Sequence, residues 1–541
     1  MNAGTYRFVR IVISGLILVV CALVFADIGR SLSADQVRAI LWPQFVPSLS
    51  ALLSGGGWLA TGCIMVILLT LIFGRVYCAM LCPLGVLMDF SAWLGRRTGK
   101  KRKLPYRRGH PWLRSAMIAV CVIGLIAGTA VPLAFLDPFS LFGKIIGGTL
   151  RPALATANEL LVSISWVNPI KVSPVAWVMT AIALGLLILV VLTAVFRGRL
   201  WCNTVCPVGA VLGLFSKHAW FRLRIADSAC IGCAICERVC PAQCIDFHNH
   251  TIDHSRCVMC LDCVTSCKRS GIHLMTGRLS KKVPIEEPDK NILLPTIPAA
   301  SGSLQNPLVT SSAPLLTGSK AGANIFKRRD ILTGMLALPA IALAGNEFEP
   351  TTHQNRRAVL PPGAGSLARF QKLCTACQLC VTNCPDQVLR PSITKHGLAG
   401  FLQPYQDFDV SFCSYNCSNC SQVCPTGALL PITVEDRRLV RTGMVEFIPD
   451  LCVVKTEGTA CGACNEHCPT QAVHMVPWEN GLTFPEIEPE LCIGCGGCEF
   501  ICPVRPHRAI IVNGLAAHER VEPLVLGNQN TVREIKEAFP F

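Results

Sequence analysis

The chain has 541 residues, a mean hydropathy of +0.46, 15% charged residues and a formal net charge of +15. A composition this apolar excludes a purely soluble protein, and the length implies several domains. Residues 350–541 hold 15 Lys+Arg against 18 Asp+Glu and the remainder 34 against 16, so the basic excess belongs to the apolar part and gives no reason to invoke nucleic acid.

Four apolar segments reach bilayer length, at roughly 8–26, 57–73, 115–135 and 175–196. The flank Asp27-Ile28-Gly29-Arg30 offers no small-residue cleavage site, so the first segment reads as a retained helix. Loop 27–56 holds only Arg30 and Arg38, whereas loop 75–114 holds ten Lys and Arg. The positive-inside rule therefore puts 75–114, and both ends of a four-helix unit, in the cytoplasm. The dense run 96–108 reads as a topology determinant lying on anionic headgroups.

Two of these segments end in the same motif. One runs Gly74-Arg75-Val76-Tyr77-Cys78 and on to Cys82-Pro83-Leu84-Gly85. The other runs Gly198-Arg199-Leu200-Trp201-Cys202 and on to Cys206-Pro207-Val208-Gly209. A pseudo-twofold pairing would gather Cys78, Cys82, Cys202 and Cys206 at one membrane face. Four thiolates there suit a further Fe–S cluster, a disulfide or quinone-sensing thiol pair, or plain packing. Cys21, Cys63, Cys121 and Cys244 lack partners by spacing and read as packing residues.

Next come two runs of four cysteines, Cys230, Cys233, Cys236, Cys240 and Cys257, Cys260, Cys263, Cys267. Their C-x2-C-x2-C-x3-C spacing is that of a bacterial ferredoxin, where three thiolates on one loop take three irons of a cubane and the fourth reaches the neighbouring cluster. The expected sets are Cys230, Cys233, Cys236 with Cys267, and Cys257, Cys260, Cys263 with Cys240. Residues 281–326 form a Pro/Ser/Gly-rich linker. Lys327-Arg328-Arg329-Asp330 then precedes a short apolar run, 331–345, which reads as a twin-arginine-like export signal retained as an anchor, with Ala342-Leu343-Ala344 as the alternative cleavage site.

Four more runs follow: Cys374, Cys377, Cys380, Cys384; Cys413, Cys417, Cys420, Cys424; Cys452, Cys461, Cys464, Cys468; and Cys492, Cys495, Cys498, Cys502. Pairing of the first run with the second, or with the fourth, both fit the spacing. Six such runs imply six [4Fe–4S] clusters and a path for single electrons. No apolar segment contains a histidine and no C-x2-C-H occurs, so no haem ladder is built from this chain alone.

Residues 1–275 resemble the NapH-type membrane ferredoxin of periplasmic nitrate reductase systems. The resemblance rests on the two Gly-Arg-aromatic-Cys-x3-Cys-Pro motifs, on Leu136-Asp137-Pro138-Phe139-Ser140 and on the two-cluster tail. Residues 326–515 resemble the NapG-type exported four-cluster ferredoxin, with the twin arginine and Leu360-Pro361-Pro362-Gly363-Ala364. The MauN/MauM pair found beside methylamine dehydrogenase is similar, although here both parts share one polypeptide. The resemblance implies quinol oxidation in the membrane and electron delivery to a periplasmic reductase or dehydrogenase, with a cytochrome as a further partner. Regulation by redox sensing, metal-centre assembly and reverse flow from a periplasmic dehydrogenase are the alternatives.

The expected fold is multidomain: a four-helix transmembrane bundle plus α+β bacterial-type 2[4Fe–4S] ferredoxin domains. The expected parts are the membrane domain (1–222), a cytoplasmic ferredoxin (223–280), the linker (281–326), the anchor (327–346), a periplasmic four-cluster ferredoxin (347–515) and a tail (516–541). A bilayer core of about 30 Å is too thick for one efficient electron jump, so a carrier must bridge it. Quinone is the expected carrier, in a pocket with Asp137 and Lys144 at the outer face and Arg75 and Arg199 at the inner face as candidate polar groups.

Overall fold

Nearly uninterrupted aliphatic runs form two of the three longest helices. A computed structural model describes residues 3–27, 29, 31–53, 57–98, 105–163, 177–276 and 356–521. The linker, the twin-arginine segment and residues 522–541 lie outside the described residues.

Helices Ala3–Ala26 and Trp177–Arg197 are long and apolar enough to cross a membrane. The first keeps Cys21, Val24 and Phe25 buried while Phe8, Leu16 and Leu23 stand exposed, an outward apolar face that suits lipid. The other two expected spans come out shorter. Gly57–Leu59 forms a 3-10 turn before Ala60–Phe73, and Pro111–Ile126 stops nine residues before the expected end at 135. It stops because Gly128 takes φ +82° and Thr129 N–H turns back to the Gly124 carbonyl, after which Val131–Leu136 starts a separate helix.

The segment expected as a third loop holds a 26-residue helix, Pro138–Ser163. Asp137 caps it, accepting from Phe139 N, Ser140 N and Ser140 Oγ at 3.3, 2.8 and 2.7 Å. Glycines and Pro152 mask this helix in a hydropathy reading, yet they let it pack closely: a Cβ at Gly148 would stand 2.4 Å from Ala183 Cβ of the helix Trp177–Arg197.

The first ferredoxin unit, 221–276, consists of two antiparallel ribbons and two one-turn helices. Phe221–Ile225 pairs with Ile272–Thr276, Ile245–Asp246 with Thr251–Ile252, and the helices are Ile235–Val239 and Asp262–Ser266. The second unit, 356–521, has three such ribbons, the longest pairing Val440–Phe447 with Ile510–Arg520. Its last strand runs past the expected boundary at 515, with Glu519 opposite Arg441 and Arg520 opposite Val440. Two-stranded ribbons are marginal by themselves, and here cysteines make up much of the core between them.

The two units attach at opposite ends of the helix Ala3–Ala26. Near its start, Tyr6 Oη donates to the Met259 carbonyl at 3.1 Å and Arg10 pairs with Asp262 at 3.2 Å. Near its end, it packs against Leu379–Thr382 of the second unit. Arg10 and Phe25 are about 22 Å apart at 1.5 Å per residue. Arg199 N–H also bonds the Pro241 carbonyl of the first unit, at 2.9 Å. On the other side Ala130 N–H bonds the Gln371 carbonyl at 3.0 Å and Arg151 the Thr382 carbonyl at 3.1 Å. Part of the basic run 96–108, expected to lie on headgroups, docks on the first unit instead: Tyr106 N–H donates to Glu237 and the Arg107 carbonyl accepts from Arg256.

At Gly143 the second unit comes close to the helices. A Cβ there would lie 2.4 Å from the Cys377 carbonyl oxygen and 2.7 Å from the Phe25 ring. Gly143→Leu is expected to weaken this contact by about 1–3 kcal/mol through overpacking. A bifunctional maleimide spanning Arg38→Cys and Gln422→Cys, whose long native side chains bond at 2.9 Å, would report it: cross-linking should fall in the leucine variant. Undiminished cross-linking would show that the units do not meet at Gly143.

Candidate iron–sulfur sites

The six runs assemble into six sets of four. Cys230, Cys233 and Cys267 surround Cys236, and Cys240, Cys257, Cys260 and Cys263 line one cavity. Both sets are those expected from spacing. In the second unit Cys374, Cys377 and Cys380 meet Cys424, while Cys413, Cys417 and Cys420 meet Cys384. Cys452, Cys461 and Cys464 share a cavity with Cys502, and Cys492, Cys495 and Cys498 share one with Cys468. The first run thus exchanges its last cysteine with the second and the third with the fourth, which decides the pairing that spacing leaves open.

Local backbone makes each loop a claw. In four runs the residue after the second cysteine is left-handed: Ala234, Leu261, Gln378 and Gly496 have φ of 56°, 57°, 70° and 79°. That turn reverses the chain so the third cysteine opens a short helix on the same side. Amides then point at sulfur, as with Gly271 N to Cys267 Sγ at 3.2 Å and Leu429 N to Cys424 Sγ at 3.3 Å. Burial pushes the Cys384 thiol up to about 11 and the Cys377 and Cys495 thiols up to about 12. Without iron these three thiols are neutral at pH 7, so loading must displace their protons.

None of the 32 cysteines is in a disulfide. Among the described residues no three Cys, His, Asp or Glu converge on one metal position. A single zinc demands such convergence, whereas a cubane spreads its four thiolates over separate irons. The claw geometry, amide donors and exchanged fourth ligand fit the cubane.

The membrane motif forms a seventh set. Cys78, Cys82, Cys202 and Cys206 are each only 4–5% exposed, and Cys82 has the other three as charge neighbours. Gly74 and Gly198, at φ +77° and +58°, end their helices so that the next arginine turns inward. Each arginine then crosses to the other repeat. Arg75 donates to the Cys202 carbonyl at 3.1 Å and to Asn203 Oδ1 at 2.9 Å, and Arg199 donates to the Cys78 carbonyl at 2.6 Å. Cys82 and Cys206 precede Pro83–Thr98 and Pro207–Ser216, and accept the Gly85 and Gly209 amides at 3.4 and 3.3 Å. A Cβ at either glycine would collide with the Cys78 or Cys202 carbonyl, at 2.5 and 2.1 Å. Two helix N-termini and two guanidiniums around four sulfurs make a site for negative charge.

This arrangement changes the role of the expected quinone-site groups. Arg75 and Arg199 lock the repeats together, the latter also paired with Asp89 at 2.8 Å. Asp137 caps a helix, and Lys144 Nζ donates to the Ala134 carbonyl at 2.6 Å. All four are buried with protein partners. The residues missed from sequence are those partners: Asn203, Asp89 and Ser255, whose carbonyl accepts from Arg75 at 3.1 Å. Cys244 is buried beside the cluster cysteines, with its sulfur 3.6 Å from Cys240 Sγ. Cys21, Cys63 and Cys121 are buried as expected.

The sets are linked. One buried core contains Cys240, Cys257 and Cys260, all four membrane cysteines, the Phe25–Phe139–Phe142 cluster, and Cys377. Arg199 lies within electrostatic reach of both Cys202 and Cys260, and Lys144 of Asp137, Cys374 and Cys377. Within the second unit Cys413 N–H donates to the Cys495 carbonyl at 2.9 Å, and the fully buried Arg437 donates to Cys413 Sγ at 3.4 Å.

Comparison with known proteins agrees with this chemistry. A family model described as a 4Fe-4S binding domain matches residues 55–101 and 178–226, and a 4Fe-4S dicluster domain matches 373–428 and 459–505. Ferredoxin-type protein NapF of Escherichia coli is 30% identical over 161 residues, which cover 87% of NapF and 30% of this chain. The chain belongs to the ferredoxin-type iron–sulfur proteins. This ferredoxin-type protein is also similar to NapH of Haemophilus influenzae, at 28% identity over 38% of the chain and 61% of NapH. It is similar to the methylamine utilization protein MauM of Methylobacillus flagellatus, at 28% over 32% of the chain and 79% of MauM. No solved structure matches the chain. The first model covers both copies of the membrane motif, and residues 230–267 fall outside both models.

Arg437→Gln removes a buried positive charge between two thiolate sets. The potentials of the facing clusters should fall by about 60 mV, a tenfold change in one-electron affinity. A redox titration followed by electron paramagnetic resonance checks this, and unchanged potentials would show the charge is not felt.

Proposed function

We propose that the chain carries single electrons across a membrane, between a partner on the cytoplasmic side and an oxidoreductase on the periplasmic side. The observation that carries the reading is the continuous buried core from Cys240, Cys257 and Cys260 through the four membrane cysteines to Cys377. When bound, a [4Fe–4S] cluster accepts or releases one electron without bond rearrangement in the protein. The thiolate sets follow in order: Cys230/233/236/267; Cys240/257/260/263; Cys78/82/202/206; Cys374/377/380/424; Cys384/413/417/420; Cys468/492/495/498; and Cys452/461/464/502.

The chain's own residues do three things along this line. Arg75, Arg199, Lys144 and Arg437 place positive charge beside successive sets, which favours the reduced state. Phe25, Phe139 and Phe142 exclude water between the membrane set and Cys377. Gly143 brings the second unit into contact. In this reading the protein is a multi-pass inner-membrane protein. Its first unit faces the cytoplasm with the ten-charge loop and its second faces the periplasm. Quinone is then a partner of the line and is not needed as a carrier within it. The pairing with a quinone pool comes from the resemblance to NapH-type proteins.

Iron and acid-labile sulfide analysis tests the seventh set. About 28 irons per chain are expected for the native protein and about 24 for Cys82→Ser/Cys206→Ser. Proteoliposomes test the conduction. With a membrane-impermeant reductant outside and a trapped impermeant oxidant, the native protein should pass current, and the double variant should lose at least about tenfold of it. Native current only upon adding a lipid-soluble quinone would overturn the continuous path.

A further inference from the structure

The last thiolate set lies under a surface whose chemistry differs from the rest of the second unit. Phe447 and Pro485 line both the cavity of Cys452, Cys461, Cys464 and Cys502 and an open groove beyond it. The groove is aromatic. Phe447 meets Phe484 edge-on at 5.4 Å, Phe484 stacks on Trp478 at 4.5 Å, and Trp478 is 39% exposed. These three rings lead from the cluster cavity to solvent.

The surroundings are strongly acidic. Residues 446–490 contain eight Asp and Glu against the single Lys455, and all eight carboxylates are exposed. Glu486 lines the groove, and Glu446, Asp450, Glu479, Glu488 and Glu490 adjoin lining residues in the chain. Lys455 is bound to Asp450 at 2.5 Å. Arg441 is largely buried, donating to the Pro489 and Glu490 carbonyls and pairing with Glu519. Of the two histidines in the stretch, His474 sits between Glu486 at 3.4 Å and Glu488 at 3.8 Å, and His467 contacts the Ala463 carbonyl. Outside this stretch, residues 356–521 carry twelve Lys and Arg against seven Asp and Glu. The negative charge is therefore concentrated around the groove.

We infer that this groove is the docking face for a basic one-electron carrier protein, one whose exposed cofactor edge is ringed by lysines. The inference rests on the electron-transfer reading above and names the partner chemistry of its periplasmic end. An apolar aromatic floor with a rim of one sign is the pattern of a partner interface, with Trp478 as the anchor and the carboxylates steering encounter. A second copy of this face, anionic lipid and nucleic acid would all be repelled. The exchange balances simply: one electron leaves the reduced cluster, the carrier's ferric haem becomes ferrous, and no proton or bond moves.

The test uses the full-length, cluster-loaded protein in detergent. It is reduced photochemically, freed of reductant, and mixed in a stopped-flow instrument with oxidised cytochrome c, a basic single-haem protein. The second-order rate should fall at least about tenfold from low to high salt. Glu479→Lys/Glu486→Lys/Glu488→Lys should lower the low-salt rate about tenfold and flatten the salt dependence. Trp478→Ala should lower the rate several-fold at every salt concentration, as for loss of an interface anchor. Oxidation by a small uncharged mediator should stay unchanged in all variants, which separates docking from cluster damage. A salt-indifferent rate, an unaffected charge-reversal variant, or preference for an acidic carrier would overturn the docking face. So would salt-independent oxidation by a quinone analogue that Trp478→Ala abolishes, since the groove would then be a small-molecule site. Clusters that cannot be reduced at all would refute the electron-transfer reading itself.

Discussion

The ferredoxin units depend on cysteines shared between segments that ribbon pairing alone would hold only weakly. Each ferredoxin half is a two-stranded ribbon, a turn and one turn of helix, too small to bury a self-sufficient apolar core. Cysteine supplies the interior instead, and the fourth ligand of each claw comes from the neighbouring run. Where these cysteines bind clusters, ligation and folding of the units would be coupled. Burial raises thiols such as Cys377, Cys384 and Cys495 above their ordinary range, so charge is unfavourable at those positions without iron.

The membrane motif solves a different problem with related means. Two short helices, Val76–Met80 and Leu200–Thr204, each broken from its parent by a glycine at positive φ, must be held face to face in a buried surrounding. The two buried arginines do this by crossing between repeats, each donating to the carbonyl of the other repeat's first cysteine. A buried guanidinium without partners would be costly. Here Arg75 and Arg199 have carbonyls, Asn203 and Asp89. Where the four sulfurs bind an anionic cluster, the same guanidiniums neutralise it. One pair of residues thus serves the fold and the charge of the site together.

In the proposed reading, the line of thiolate sets changes how a bilayer would constrain this protein. A carrier dissolved in lipid is needed only when the redox centres stop at the two faces. Buried sulfurs partway along the helix Ala3–Ala26, and a glycine that lets the Cys377 loop descend onto the helices, shorten each interval. The aromatic rings at the far end extend the line to an acidic surface, so the polarity of the molecule's ends differs as much as their position.

Spacing alone determined the six cysteine runs, the two sets of the first unit and the repeated membrane motif, because ligand geometry is local and leaves a periodic trace. Hydropathy found the helices Ala3–Ala26 and Trp177–Arg197 but overran the third segment and passed over Pro138–Ser163. Gly128 ends the one and Gly148 and Pro152 disguise the other, and an average over side chains registers neither a backbone angle nor a close helix contact. Only the tertiary structure decided the pairing of the last four runs, the cross-repeat grip of Arg75 and Arg199, and the meeting of Gly143 with Cys377. Those depend on which separate surfaces touch, and contacts between residues distant in the chain leave no pattern that one sequence can display.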